Sequence, residues 1–160
     1  MAESGVMITL TSSDNENFQI EKEIAKDIGA VKNLLDDFEN ETNIPLSQVN
    51  KEILKKVIDF ITHHHKYPFL LDNEKDKKGQ LTQWDYSFFD MEQQKLFELI
   101  IAANILDVRE LFDLGCKYIA EMIKGKSVEE LRKTFGIVND FTKEEEEEIR
   151  QKNKWLDEFI

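Results

Sequence analysis

The chain has 160 residues, 41% of them hydrophobic, and carries 33 acidic against 21 basic side chains for a formal net charge of -12. That length suggests one domain, with room for an appendage and a real core. The acidity argues against nucleic acids and anionic membrane surfaces, which select clustered Lys and Arg; the single cysteine, Cys116, excludes a disulfide-built secreted domain; and no apolar run reaches the roughly 18 residues of a transmembrane helix.

The N-terminus lacks a basic stretch followed by an apolar one, so no secretory signal is expected, and a cytoplasmic and nuclear location is. Asn40-Glu41-Thr42 then reads as a chance sequon. Val6–Thr11 alternates and is β-rich, Ser12-Ser13-Asp14-Asn15 is a turn cluster, and Asn17–Ile20 returns, which predicts a hairpin. Glu21–Lys26 forms a short helix or turn. After Gly29, Val31, Leu34, Leu35 and Phe38 recur at helical spacing. Ile44-Pro45-Leu46 is short and extended, and Pro45 restricts it to a sheet edge. Asn50 caps a helix running to about Tyr67, with Ile53, Leu54, Val57, Ile58 and Ile61 on its apolar face, and Pro68 ends it. Residues 69–82 form a flexible charged loop around the run DNEKDKKGQ. The aromatic cluster Trp84, Tyr86, Phe88 and Phe89 is expected to dock on the core.

Two helices joined by a short turn are predicted between Glu92 and Gly125. Asp90 with Gln93, and Asp107 with Glu110, are expected to form their capping boxes, and Gly125 supplies a C′ glycine. These helices are apolar over more than one stripe. Leu96, Ile100 and Ala103 share one face of the first, with Phe97, Ile101 and Ile105 beside and behind them. In the second, Leu111, Phe112, Leu114, Cys116, Tyr118, Ile119, Met122 and Ile123 cover well over half the circumference. A core of this size covers one side of such a hairpin; another protein is expected to cover the other. Ser127–Glu130 opens a short helix ending near Phe135-Gly136, and Thr142 with Glu145 opens an acidic one whose Glu144–Glu148 suits a positive helix N-terminus. Trp155, Leu156, Phe159 and Ile160 leave large apolar groups at the end of the chain. Mixed strands and helices followed by helices alone make an α+β fold.

Little here points to catalysis or metals. His63-His64-His65 cannot share one tetrahedral site from consecutive helical positions, and a solvated helix end is expected instead. Cys116 has no positioned base in the sequence and reads as a small packed thiol. Glu144–Glu148 lacks a calcium-loop pattern. No glycine-rich phosphate loop, activated nucleophile or metal-ligand spacing occurs, so no cofactor and no catalytic residue are expected.

AANILD (102–107), IAEMIKGKSVEELRKTFGIVNDFT (119–142) and EEEEEIRQKNKW (144–155) closely resemble the S-phase-kinase-associated adaptor family, whose members link a cullin to F-box proteins in SCF-type ubiquitin ligases. Ile53–Ile58, Thr62–His65, Trp84-Asp85 and Phe97–Ile100 fit the same pattern. The resemblance implies a BTB/POZ-type core with added C-terminal helices and a non-catalytic adaptor role. Its organisation would be 1–68 as the first half of the core, 69–82 as the loop, 83–125 as the core's C-terminal helices and 126–160 as an F-box-binding extension. F-box contacts would fall on Phe97, Cys116, Ile119, Met122, Ile123, Phe135, Ile137 and Trp155. The cullin surface would include Asn104 and Ile105. Many members have Tyr at the position of Ile105, so a hydroxyl and an aromatic face are lost and weakened cullin binding is expected; self-association of the core as a homodimeric scaffold is the alternative. Lys143 stands where some members carry a modifiable proline, and residues 156–160 differ from the usual ending.

Overall fold

The computed structural model describes residues 5–38, 40–68 and 80–158. The expected charged loop falls, but for its last residues, outside the described residues, as do Phe159 and Ile160. The chain divides into two compact units, Met1–Tyr118 and Ile119–Ile160.

In the first unit, β1 (Met7–Ser12) pairs antiparallel with β2 (Asn17–Glu21) and parallel with β3 (Asn43–Leu46), giving the order β2-β1-β3. The hairpin turn is held by polar side chains at its tip. Ser12 Oγ donates to Asp14 Oδ1 at 2.6 Å and accepts from the Glu16 amide at 3.1 Å, while Asn15 takes a left-handed φ of 61°, a conformation Asn tolerates well. The period-2 alternation sends Ile8, Leu10, Ile20, Ile44 and Leu46 into the core. β3 is an edge strand, as Pro45 requires.

Helices cover this sheet: α1 (Lys22–Ala25), α2 (Gly29–Asp37), α3 (Lys51–Lys66), α4 (Gln83–Phe89), α5 (Gln93–Ile105) and α6 (Arg109–Ile123), whose last residues belong to the second unit. Asn50 caps α3 by accepting from the Ile53 amide at 3.0 Å. Ile53, Leu54, Val57 and Ile61 are buried as expected, joined by Phe60. Each such burial stabilises the fold by roughly 1.5–3 kcal/mol.

Two expected capping boxes are absent. Asp90 closes α4 rather than opening α5, which starts at Gln93 after an extended Glu92 with no side-chain cap. Asp107 does not cap α6 either. It adopts a left-handed φ of 54°, and α6 begins at Arg109. The reason lies across the core. The α5–α6 turn presents its backbone to α2, with Leu106 O accepting from Ala30 N at 3.1 Å and Asp107 O from Gly29 N at 3.2 Å. Those bonds satisfy donors at the start of α2, which has no side-chain cap of its own. A Cβ at Gly29 would collide with the Asp107 side chain, so only glycine permits the approach.

The three histidines are not a solvated helix end. His64 is buried, its ring stacked on Phe60 with centroids 4.2 Å apart, and its Nε2 donates to Asp85 Oδ1 at 3.0 Å. His63 stacks on Trp84 at 3.8 Å, and His65 pairs with Asp27 at 3.0 Å. Asp85 is fully buried. Its Oδ2 accepts from Thr82 N and Thr82 Oγ1, both at 2.7 Å, completing a capping box on α4. Burial pushes the Asp85 carboxyl up, but the hydrogen bonds from His64 and Thr82 outweigh it and hold the group below the ordinary carboxylate value. Burial, with the neighbouring His64, lowers His63. This polar clasp and the rings around it attach α4 to α3, which is how the aromatic cluster docks: Phe88 and Phe89 are buried, while Tyr86 is 40% exposed.

The second unit holds the end of α6, then α7 (Val128–Phe135), α8 (Lys143–Lys152) and a 3-10 turn (Lys154–Glu158). Both expected capping boxes form here: Ser127 Oγ accepts from Glu130 N while Glu130 accepts from Ser127 N, and Thr142 and Glu145 repeat the pattern. Gly136 closes α7 in the left-handed region with φ 63°.

Candidate partner-binding surfaces

Among its described residues the second unit has local order without a buried side chain. No residue between Ile119 and Leu156 is buried. Its helices are built by capping and by charge. Arg132 bonds Glu146 at 3.4 Å, Arg150 lies 3.7 Å from Glu146, and Glu129 lies 3.8 Å from Arg150. Surface pairs of this kind contribute about 0–1 kcal/mol each. They set the relation of α7 to α8 without supplying a core. Between the two helices, Val128, Phe141, Ile149 and Leu156 line an open apolar groove of about 360 Å³ whose rim is Arg132, Glu146, Arg150 and Asn153.

Of the residues singled out for F-box contact, Ile119 and Met122 lie half-buried on the last turns of α6, and Ile123 is 40% exposed. Phe135 is half-buried at the end of α7; Ile137 and Trp155 are 58% and 59% exposed. These six belong to the second unit, whereas Phe97 and Cys116 belong to the first. Phe97 is partly exposed on α5. Cys116 corrects an expectation: it is a free, exposed thiol on α6, not a packed one, because Leu111, Leu114 and Gly115 turn the buried stripe of the helix away from it. Gly115 lies against Ile100, where a Cβ would come within 2.8 Å of its Cγ1.

Three groove residues, Val128, Phe141 and Ile149, are not among the contacts expected from the sequence. Phe141 and Ile149 stand among polar neighbours, so no apolar stripe marks them, whereas Val128 shares helical spacing with Leu131 and Phe135. The available signal was the pair of capping boxes, which fixes α7 and α8 and hence where isolated apolar positions lie.

A separate surface belongs to the first unit. Asn104 and Ile105 are both exposed at the end of α5, Ile105 by 42%, one turn beyond the exposed Ile101. Ile101 and Ile105 join Val49, Asn50, Ile53 and Glu98 in lining a shallow groove of about 190 Å³. Among the described residues no cluster of three or more His, Cys, Asp or Glu side chains could hold a metal, and no helix is long and apolar enough to cross a membrane.

A three-stranded sheet under helices, followed by a coreless helical extension, is the architecture of a POZ-type fold with an appended helical module. Residues 6–66 match the Skp1 family tetramerisation domain and residues 109–156 the Skp1 family dimerisation domain. The chain is 47% identical over 155 residues to the E3 ubiquitin ligase complex SCF subunit sconC of Talaromyces stipitatus, covering 94% of this chain and 97% of that protein. It is also 47% identical over 156 residues to the subunit of the same name in Arthroderma benhamiae (94% and 95% covered), and 46% identical over 155 residues to that of Aspergillus fumigatus (94% and 98%). The chain belongs to the Skp1 family, the family whose motifs its sequence carries, and its α+β core is of the BTB/POZ type.

Proposed function

We propose that this protein is the adaptor subunit of an SCF-type E3 ubiquitin ligase, bridging a cullin to F-box substrate receptors and performing no catalysis itself. The observation that carries the reading is the second unit: its helices are capped and paired, yet from Ile119 to Leu156 nothing is buried. Apolar surface held in place by local structure, with no interior to cover it, is suited to burial against a partner. On this reading Ile119, Met122, Ile123, Phe135, Ile137 and Trp155, with Phe97 and Cys116 of the first unit, contact the F-box helices, and Val128, Phe141 and Ile149 extend that surface. The groove beside Asn104 and Ile105 receives the cullin. The kinship to proteins named as SCF subunits supports the same assignment.

Reconstitution tests it. Ubiquitin transfer to a receptor-bound substrate, with cullin, RING subunit, F-box protein and charging enzymes supplied, is expected to require this chain. Transfer that proceeds equally well without it overturns the proposal. The exposed Ile101 and Ile105 favour one second reading, a homodimer of the core through the same groove. Sedimentation at micromolar concentration distinguishes it: a dimer abolished by Ile105→Lys supports self-association, and a monomer removes it.

A further inference from the structure

We propose that the groove between the end of α2 and the edge strand β3 is a further docking site, taking a segment of a partner protein that carries Lys or Arg beside an apolar side chain. Leu34, Phe38, Glu41, Asn43, Ile44 and Pro45 line an open groove of about 260 Å³. None of them belongs to the F-box or cullin surfaces described above. Ile44 is buried and forms its floor, while Phe38 is 62% exposed and Leu34 40%. Leu34, in α2, and Phe38, its C-cap residue, both line the groove.

The charge around this apolar patch selects the occupant. The C-terminal end of a helix carries partial negative charge and is ordinarily offset by Lys, Arg or His. In α2 the last turn has no basic residue and instead bears Asp36 and Asp37. Glu41 adds a third carboxylate. It is held over the start of β3, where its Oε1 accepts from the Asn43 amide at 3.2 Å. Among the described residues no Lys, Arg or His forms an ion pair with any of these three groups. A negative helix end that makes no ion pair with any described basic side chain, set against an exposed aromatic ring, attracts a cation with an apolar stem, which can also lie over the face of Phe38. The recognised element is a helix or turn rather than an added strand, because Pro45 removes an edge amide from β3 and blunts strand pairing.

The probe is a fluorescein-labelled amphipathic Leu/Lys peptide, titrated against the full-length protein at low salt. A Leu/Glu peptide and a Lys/Ser peptide serve as controls. Only the Leu/Lys peptide is expected to bind. Amide shifts in NMR spectra are expected to centre on residues 34–45. Phe38→Ser and the double variant Asp37→Lys, Glu41→Lys are each expected to weaken binding about tenfold. The double variant Asp59→Lys, Asp113→Lys makes the same change in net charge elsewhere and is expected to alter affinity by less than about twofold. Equal weakening by the two charge variants would reduce the effect to the protein's overall negative field and overturn the proposal. So would full binding by Phe38→Ser. Concentration-dependent association of the free protein that Phe38→Ser abolishes would assign the groove to a second copy and overturn it as well. Binding of an F-box domain is expected to survive both groove variants, so failure here is distinguishable from failure of the adaptor reading.

Discussion

Removing the Asp85 carboxylate tests whether the buried clasp attaches α4 to α3. Asp85 accepts three hydrogen bonds, one from His64 Nε2 at 3.0 Å and two from Thr82 at 2.7 Å. In Asp85→Ala the exposed Thr82 groups regain water, and the loss there is that of a capping residue, about 1 kcal/mol. His64 is buried, and loss of the acceptor of its Nε2 costs about 1–3 kcal/mol. The total, about 2–4 kcal/mol, corresponds to a fall in Tm of roughly 4–16 °C for a domain of this size. Thermal and urea unfolding followed by circular dichroism measure it, and His64→Ala in the Asp85→Ala background is expected to add less than it does in the wild type, because the two share one interaction. The pH dependence has a defined sign. The Asp85 carboxyl is depressed in the folded state, so its contribution is present in full above the unfolded value, ordinarily about 4, and is lost as pH falls through the lower folded value. Wild type and Asp85→Ala are therefore expected to converge in stability only in strong acid. A loss at pH 7 below about 1 kcal/mol, or a difference that persists unchanged to the lowest pH at which the fold survives, would mean that the Asp85 carboxylate does not hold α4 on α3.

Three further outcomes follow from particular contacts. Gly115→Ala places a Cβ 2.8 Å from Ile100 Cγ1, and urea unfolding is expected to show a loss of about 1–3 kcal/mol from overpacking. Ser127→Ala removes one of the two capping boxes of the second unit; circular dichroism of the free protein is expected to show reduced helicity, from a cap contribution of about 0.5–2 kcal/mol, with recovery when an F-box domain is bound. Ile105→Tyr is expected to tighten and Ile105→Lys to weaken binding to a cullin N-terminal domain, each by about tenfold in calorimetry, since the side chain is exposed in the groove.

Where local chemistry determines local structure, the sequence is legible. Asn50, Ser127 and Thr142 cap the helices they precede. Alternation marks β1, Pro45 confines β3 to the edge, and Pro68 follows the end of α3. Where a distant partner decides, it is not. Asp107 resembles an N-cap, but its turn is bent into the left-handed region so that its carbonyl meets the amide of Gly29. Nothing near His64 indicates that Asp85, 21 residues on, will bury it. Cys116 sits in an apolar run yet faces outward, because the core side of α6 is fixed by Leu111, Leu114 and Gly115. The surplus of apolar surface was readable from Ile101, Ile105, Ile123 and Trp155, all substantially exposed. The division of that surplus between two units was not, since it depends on which helices share an interior.

Calorimetric titration of a purified F-box domain into the wild-type protein, Ile123→Asp and Trp155→Ala tests the adaptor assignment most directly. One-to-one binding is expected, with a negative heat-capacity change from apolar burial, weakened at least about tenfold by each substitution while the unfolding midpoint of the free protein barely moves. Absence of binding by the wild type, or unchanged affinity in both variants, would contradict it.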